Sequence, residues 1–130
     1  MHDVATKLRT LQIFTHNAHN IASGSTFLAD HEYLGELYPA YEAAYDSVIE
    51  RLIGLGEEVD IIAIGIEAIK AVAACPTTDA CFESILEQEE ALRAAIDECI
   101  QGCSTGTQNL LAQIADDSEQ RSYRIRQRCS

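Results

Sequence analysis

The amino-acid sequence predicts an all-helical protein with a single domain. Apolar residues recur at three- and four-residue steps, and no segment shows the alternation typical of a strand. The 130 residues include only two prolines and seven glycines, so few positions oppose long helices. A chain of this length can build one hydrophobic core but not two.

The first half of the chain predicts two helices. Residues 3–22 form the first, whose buried stripe is expected to contain the following residues: Val4, Leu8, Leu11, Thr15 and Ala18. The second helix is expected to run from Asp30, as its N-cap, to Leu55, with Gly56 closing it. Pro39 clashes with the carbonyl of the residue four positions earlier, which predicts a local kink.

The second half predicts a further apolar segment and two more helices. Residues 57–74 are strongly apolar, and a helix that is apolar on most sides must be buried. Pro76 marks a break, after which Thr78 or Asp79 is expected to cap a helix over residues 79–102. The last helix is expected from Thr107 to about Gln127.

Charge and cysteine usage limit the functional classes. A net charge of −12 and a pI near 4.5 make the chain as a whole a poor nonspecific DNA binder, but suit it to attracting cations. Neither an export signal nor an apolar run of bilayer length is found, which predicts a cytoplasmic protein without a membrane partner. The five cysteines are therefore expected to be free thiols, most of them buried, although a zinc or redox site at Cys99/Cys103 or Cys75/Cys81 is conceivable.

The strongest chemical signal lies between residues 19 and 50. It holds two histidines and two carboxylates, the mixed ligand set that Fe(II) accepts, with Zn(II) as a competitor: His19, His31, Asp46 and Glu50. Asp46 and Glu50 are four residues apart and share one helix face. On a continuous helix, His31 and Asp46 are separated by roughly 22 Å. Either the set is accidental, or two copies pack antiparallel and build two equivalent sites across a two-fold axis.

These residues resemble a known family. The spacing His19-x11-His31-x14-Asp46-x3-Glu50, followed by E-R-L-I-G-L-G at residues 50–56, resembles the Dps miniferritins of the ferritin-like superfamily. The segment T-Q-N-L-L-A-Q-I at residues 107–114 resembles the family's last helix. The resemblance implies a ferritin-like four-helix bundle with a short crossover helix between the second and third long helices, lying at the two-fold interface. It also implies a homododecameric shell that oxidises Fe(II), with hydrogen peroxide as the expected oxidant, and stores the ferric product.

The chain departs from the family pattern at two positions near the expected ligands. Asn20 stands where many members carry a tryptophan, and Gly35 stands where many carry an aspartate that serves a second iron position. Glu36 could serve that position instead. The resemblance also makes Glu32 and Glu36 candidates for mineral nucleation, whereas the alternative is an ordinary solvated acidic face.

The C-terminal end favours a second hypothesis. It holds four of the nine basic residues, which are candidates for DNA contacts: Arg121, Arg124, Arg126 and Arg128. The alternative function is a ferritin-like DNA-binding or structural shell protein without ferroxidase activity, in which many copies of this end act together. The simpler explanation is that these arginines complement the helix dipole and pair with the acidic excess.

Overall fold

The computed structural model describes all 130 residues, and they form five helices and no strand. The helices are α1 (His2–Ile21), α2 (Phe27–Gly54), α3 (Ile61–Ala71), α4 (Thr78–Ile100) and α5 (Thr105–Cys129). The all-helical prediction is confirmed. Each predicted helix is present, with ends that differ from the expected ones by only a few residues.

The four long helices form a bundle around one core. Helix α1 packs against α2, α3 and α4, and α4 packs against α5. The stripe predicted for α1 is fully buried, and apolar residues of α2, α4 and α5 complete the core with it. The aromatic centre of the core consists of Phe14, Tyr41 and Phe82, each of them at most 1% exposed.

The start of α2 corrects one prediction. Thr26, not Asp30, precedes the helix, and Asp30 lies within the first turn with 3% of its surface exposed. Its carboxylate accepts hydrogen bonds from the Thr26 hydroxyl and from the guanidinium of Arg128. A distant basic partner, which sequence periodicity does not reveal, therefore places this carboxylate inside the structure. The helix continues through Pro39.

The ends of the other predicted segments follow local chemistry. Gly56 has φ 82°, a left-handed conformation that ends α2 as the sequence predicts. The cap of α4 is Thr77 and not Thr78 or Asp79, because the Thr77 hydroxyl accepts a hydrogen bond from the amide of Ala80. No helix combines the length and the apolar composition that crossing a bilayer requires.

Helix α3 is less buried within the chain than its composition predicts. Only Ile64 and Ala68 are buried. Four isoleucines of this helix are between 48% and 77% exposed: Ile61, Ile62, Ile66 and Ile69. Burial of this helix is thus incomplete within a single chain.

The cysteines correct a second prediction. Cys75 and Cys81 form a disulfide, whereas Cys99, Cys103 and Cys129 are free. The expectation of five free thiols was wrong for the pair that flanks the turn before α4. Only the folded chain brings these two residues to a Cα–Cα distance of 5.4 Å.

Candidate metal site

The end of α1 and the start of α2 hold two histidines in a reciprocal arrangement. Nδ1 of His19 lies 2.8 Å from the carbonyl oxygen of His31, and Nδ1 of His31 lies 2.9 Å from the carbonyl oxygen of His19. A ring nitrogen that donates to a carbonyl must carry the proton, so both imidazoles have Nε2 as their free acceptor. Neither Nε2 atom makes a hydrogen bond within the chain. We refer to His19 and His31 below as the histidine pair.

The histidine pair is packed as well as hydrogen-bonded. The two rings are stacked with centroids 3.8 Å apart, and Phe27 stacks on His31 at 4.8 Å. Tyr38 contacts His19 edge-on at 5.5 Å and stacks on His16 at 4.1 Å. The ring of His16, an exposed residue, lies 6.5 Å from that of His19, so His16 is a neighbour of the pair and not part of the stack. Packing and hydrogen bonds together fix the two rings before any ligand binds.

Gly35 makes room for the ring of His19. A Cβ atom built at this glycine would lie 3.1 Å from Cε1 and 3.2 Å from Nδ1 of His19. These distances are tighter than ordinary van der Waals contact, so any side chain at position 35 would have to displace the imidazole. The absence of an aspartate here is therefore coupled to the position of His19. Glu36 is the next residue on α2 and is exposed.

The two predicted carboxylate ligands lie elsewhere on α2. Asp46 and Glu50 are exposed, and neither forms a salt bridge within the chain. No group of three or more potential ligand side chains comes together in a single chain. The chain thus carries the histidine pair near the start of α2 and the carboxylate pair, Asp46 with Glu50, towards its other end, a separation that the helix spacing predicts.

The carboxylates inside the bundle are already paired. Glu89 of α4 is fully buried and binds Arg121 of α5 through both of its oxygens, at 3.1 and 3.3 Å. Tyr41 donates its hydroxyl proton to the same carboxylate. Asp30, the other buried carboxylate, is held by Arg128. A cation inside the bundle would have to displace a guanidinium, so the interior of one subunit is a poor metal site.

Burial changes the titration behaviour of two tyrosines in the interior. Burial, and secondarily the charge of Glu89, raises the pKa of Tyr41 well above its ordinary value. Burial likewise raises the pKa of Tyr33, whose hydroxyl has no hydrogen-bond partner. The hydroxyl of Tyr45 also lacks a hydrogen-bond partner. Tyr41 therefore stays protonated and acts as a donor to Glu89.

The remaining predicted residues divide by exposure. Glu32 and Glu36 are exposed on α2, a placement that fits both mineral nucleation and a solvated acidic face. In the basic C-terminal set, Arg121 and Arg128 form ion pairs with Glu89 and with Asp30 and Asp79. Only Arg124 and Arg126 are exposed. Half of the predicted DNA-contact set is thus engaged in ion pairs within the bundle.

Sequence reasoning missed the interior network of α4 and α5. Arg93 donates to the hydroxyls of Ser118 and Ser122, both at 2.8 Å, next to the Glu89–Arg121 pair. These partners are separated by 25 to 32 residues. The only local signal is a charged residue within an apolar stripe, since Glu89 lies on the same face of α4 as Ile85 and Leu92.

The chain is thus a helical bundle whose helices are linked by buried ion pairs, of which Glu89 with Arg121 is one. The model of the Ferritin-like domain matches residues 1–128. The chain therefore belongs to the ferritin-like family. No curated protein shows a significant match to the sequence. Iron storage and ferroxidase-type chemistry are the activities that this family suggests.

Proposed function

We propose that this chain is a Dps-like miniferritin. In this proposal Fe(II), the substrate, binds between His19 and His31 of one subunit and Asp46 and Glu50 of the partner subunit. Hydrogen peroxide oxidises the iron, and the ferric product is stored inside a hollow shell of twelve subunits. Zn(II) would compete for the same ligands. Membership of the ferritin-like family supports the iron chemistry in general.

The observation that carries the proposal is the arrangement of the histidine pair. Histidine ligands of metal sites typically donate their second ring nitrogen to a carbonyl or carboxylate, which fixes the tautomer and the ring orientation. Both members of this pair do so through Nδ1 to backbone carbonyls. Two imidazoles whose Nε2 atoms have no partner within the chain are therefore oriented in advance, and two such nitrogens need further ligands to complete a metal site.

The missing ligands are best supplied by a second copy of the chain. The carboxylate pair is exposed and lies roughly 22 Å along α2 from His31. Antiparallel packing of two α2 helices across a two-fold axis would bring each carboxylate pair to the other subunit's histidine pair. The exposed isoleucines of α3 supply apolar surface that such an interface can bury.

The ligand charges favour oxidation. Two carboxylates neutralise Fe(III) better than two neutral imidazoles alone, so they stabilise the oxidised ion relative to Fe(II). Peroxide accepts two electrons, one from each of two Fe(II) ions, and takes up two protons to give two molecules of water. Where two iron ions bind at one site, Glu50 is the carboxylate proposed to bridge them. The net charge of −12 per chain attracts Fe(II) to the shell.

The decisive experiment is complementation between two inactive variants. His31→Ala removes a histidine ligand, and Asp46→Ala removes a carboxylate ligand. When the two variants are unfolded together and reassembled, mixed dimers carry one intact site and one doubly damaged site. Random mixing should therefore restore roughly a quarter of the wild-type sites. Peroxide-dependent ferric absorbance after anaerobic Fe(II) loading measures the recovery, and gel filtration measures the size of the particle.

The outcomes separate the parts of the proposal. Recovery on mixing, with each variant inactive alone, supports a site shared between subunits. If both variants are inactive and the mixture stays inactive although its dimers have exchanged, the ligands belong to one chain. If either variant alone oxidises iron at the wild-type rate, the ligand assignment is wrong. Reassembly of Glu42→Ala alone serves as the matched control, because Glu42 is an exposed acid of the same helix that has no place in the proposed site.

A further inference from the structure

The connection between α3 and α4 contains the single disulfide of the chain. Cys75 lies in the loop after α3, and Cys81 lies in the first turn of α4. Their Cα atoms are 5.4 Å apart, within the range of about 4.4 to 6.8 Å that disulfides adopt without backbone movement. The backbone is therefore already placed for this bond to form.

The two sulfur atoms differ in their surroundings. Cys81 is 1% exposed, whereas Cys75 is half-buried between the exposed residues Ala74 and Pro76. A reductant or an oxidant in solution can thus reach Cys75 first. This asymmetry favours a bond that opens and closes in the folded protein.

The fold does not depend on the disulfide at this point. The hydroxyl of Thr77 caps α4, and the Thr78 hydroxyl accepts a hydrogen bond from the amide of Ser23. Arg128 at the end of α5 binds Asp79 at 2.8 Å. Because these contacts hold the start of α4 against the rest of the bundle, the reduced chain is expected to keep its fold.

The remaining cysteines have different surroundings. The thiols of Cys99 and Cys103 donate to backbone carbonyls, of Ile96 and Cys99 respectively. Cys129 is exposed, and its pKa is raised, mainly by partial burial of the sulfur, which lowers its thiolate fraction at neutral pH. These three thiols provide an internal comparison for any reaction at Cys75 and Cys81.

We propose that Cys75 and Cys81 are a reversible dithiol–disulfide pair that hydrogen peroxide oxidises, and that the bond ties the segment after α3 to α4. The thiol of Cys75 loses its proton, and its sulfur attacks one peroxide oxygen. The S–O bond forms as the O–O bond breaks, and the leaving hydroxide takes up a proton to become water. The thiol of Cys81 then attacks the Cys75 sulfur, forming the S–S bond and releasing the second water. Two electrons pass from the dithiol to one peroxide.

The bond has a defined mechanical consequence. Helix α3 is held to the bundle by only two buried residues, Ile64 and Ala68, and its chain continues directly into the loop of Cys75. Closing the disulfide shortens the free part of this loop and restrains the C-terminal end of α3. Opening it leaves that end attached through the backbone and through the packing of Val72 against the core. The proposal concerns iron-free protein and holds whether or not the chain oxidises iron.

The test uses the intact chain, freed of iron with a chelator and fully reduced. After the reductant is removed, equimolar hydrogen peroxide is added, free thiols are alkylated, and peptide mapping by mass spectrometry identifies each cysteine. We expect a Cys75–Cys81 crosslink as the main product, with the three other cysteines alkylated. Dithiothreitol under native conditions should then remove the crosslink. Hydrogen exchange of residues 70–77 should be faster in the reduced protein, while exchange in α5 stays unchanged.

Two variants define the controls. C99S/C103S keeps the proposed pair and should form the crosslink as the wild type does. C81S should stop at a sulfenic acid on Cys75, which dimedone labels. The proposal is overturned if Cys75 and Cys81 are still free thiols after peroxide treatment and are therefore alkylated. It is equally overturned if all five cysteines crosslink at random. It is also overturned if native protein resists reduction, because the bond is then a permanent structural one.

Discussion

Nδ1 of His19 and the carbonyl oxygen of His31 are 2.8 Å apart, and the reverse pair is 2.9 Å apart, so each histidine orients the other. This reciprocity joins the last turn of α1 to the first turn of α2. It also means that a disturbance of one ring reaches the other through both the hydrogen bonds and the stacking contact at 3.8 Å. The position of Gly35 beneath His19 offers a way to test this coupling.

Gly35→Ala should weaken metal binding although alanine favours the helix. The added Cβ would lie 3.1 Å from Cε1 of His19, so the imidazole must shift and the reciprocal hydrogen bonds must lengthen. We expect Co(II), a spectroscopic probe for Fe(II), to bind about tenfold more weakly to the assembled protein, as for other residues that orient metal ligands. Gly54→Ala is the matched control, because nothing lies within 4 Å of its added Cβ. Equal affinity of the two variants would show that His19 is not constrained in this way.

Asp30 gives a prediction for acid stability. The hydrogen bond from Arg128 lowers the pKa of Asp30 below its ordinary value of 3.8, in spite of burial. At pH values above 3.8 the ionised carboxylate therefore makes its full contribution to stability. This contribution is lost as the pH falls from 3.8 through the lower pKa of the folded state. Asp30→Asn should cost about 2 kcal/mol at neutral pH and flatten this part of the profile. Urea unfolding across the acid range measures both effects.

Asp79→Asn is the control for that prediction. Asp79 binds the same guanidinium, but its side chain is 79% exposed and screened by water. Its removal should cost less than about 1 kcal/mol. A loss as large as that of Asp30→Asn would mean that the exposed carboxylate holds Arg128 as strongly as the buried one does.

Glu89 should be the most sensitive polar position of the bundle. Glu89→Gln leaves the guanidinium of Arg121 without its buried counter-charge and weakens the acceptor of the Tyr41 hydroxyl. We expect a loss of about 3–5 kcal/mol in the free energy of unfolding. Glu90→Gln, an exposed position on the same helix, should change it by less than about 0.5 kcal/mol. A small loss at Glu89 would show that the interior pair contributes little to stability.

The sequence predicted the helices well because their signals are local. The stripe from Val4 to Ala18 and the stop at Gly56 both depend on spacing within a few residues. Pairing of the C-terminal arginines with acidic residues was the simpler of the two explanations, but their partners escaped prediction because they are far apart in the chain. Arg128 and Asp30 are 98 positions apart, and Arg121 and Glu89 are 32 apart. Such pairs leave no periodic pattern, so the sequence alone could not distinguish a free basic patch from a set of paired arginines.

The candidate ligands were predicted from residue types and spacing, but the contacts that orient the two histidine rings were not. The family resemblance placed His19 and His31 in one site, and helix spacing separated Asp46 from His31. It did not reveal the reciprocal Nδ1 hydrogen bonds, since these depend on the exact approach of the two helix ends. The role of Gly35 was equally hidden, because a glycine within a helix is compatible with many neighbours.

The exposed face of α3 yields the last prediction. Ile62 is 77% exposed and Ile69 is 66% exposed, although they belong to the most apolar helix of the chain. If this face is part of the two-fold interface, Ile62→Glu should convert assembled protein into monomers on gel filtration and abolish iron oxidation with it. The change should leave the helical circular dichroism of the monomer intact, because Ile62 does not belong to the hydrophobic core. Lys70→Glu adds an acid on the same helix without removing apolar surface and should remain assembled. An Ile62→Glu protein that stays assembled and active would place the interface on another face of the bundle.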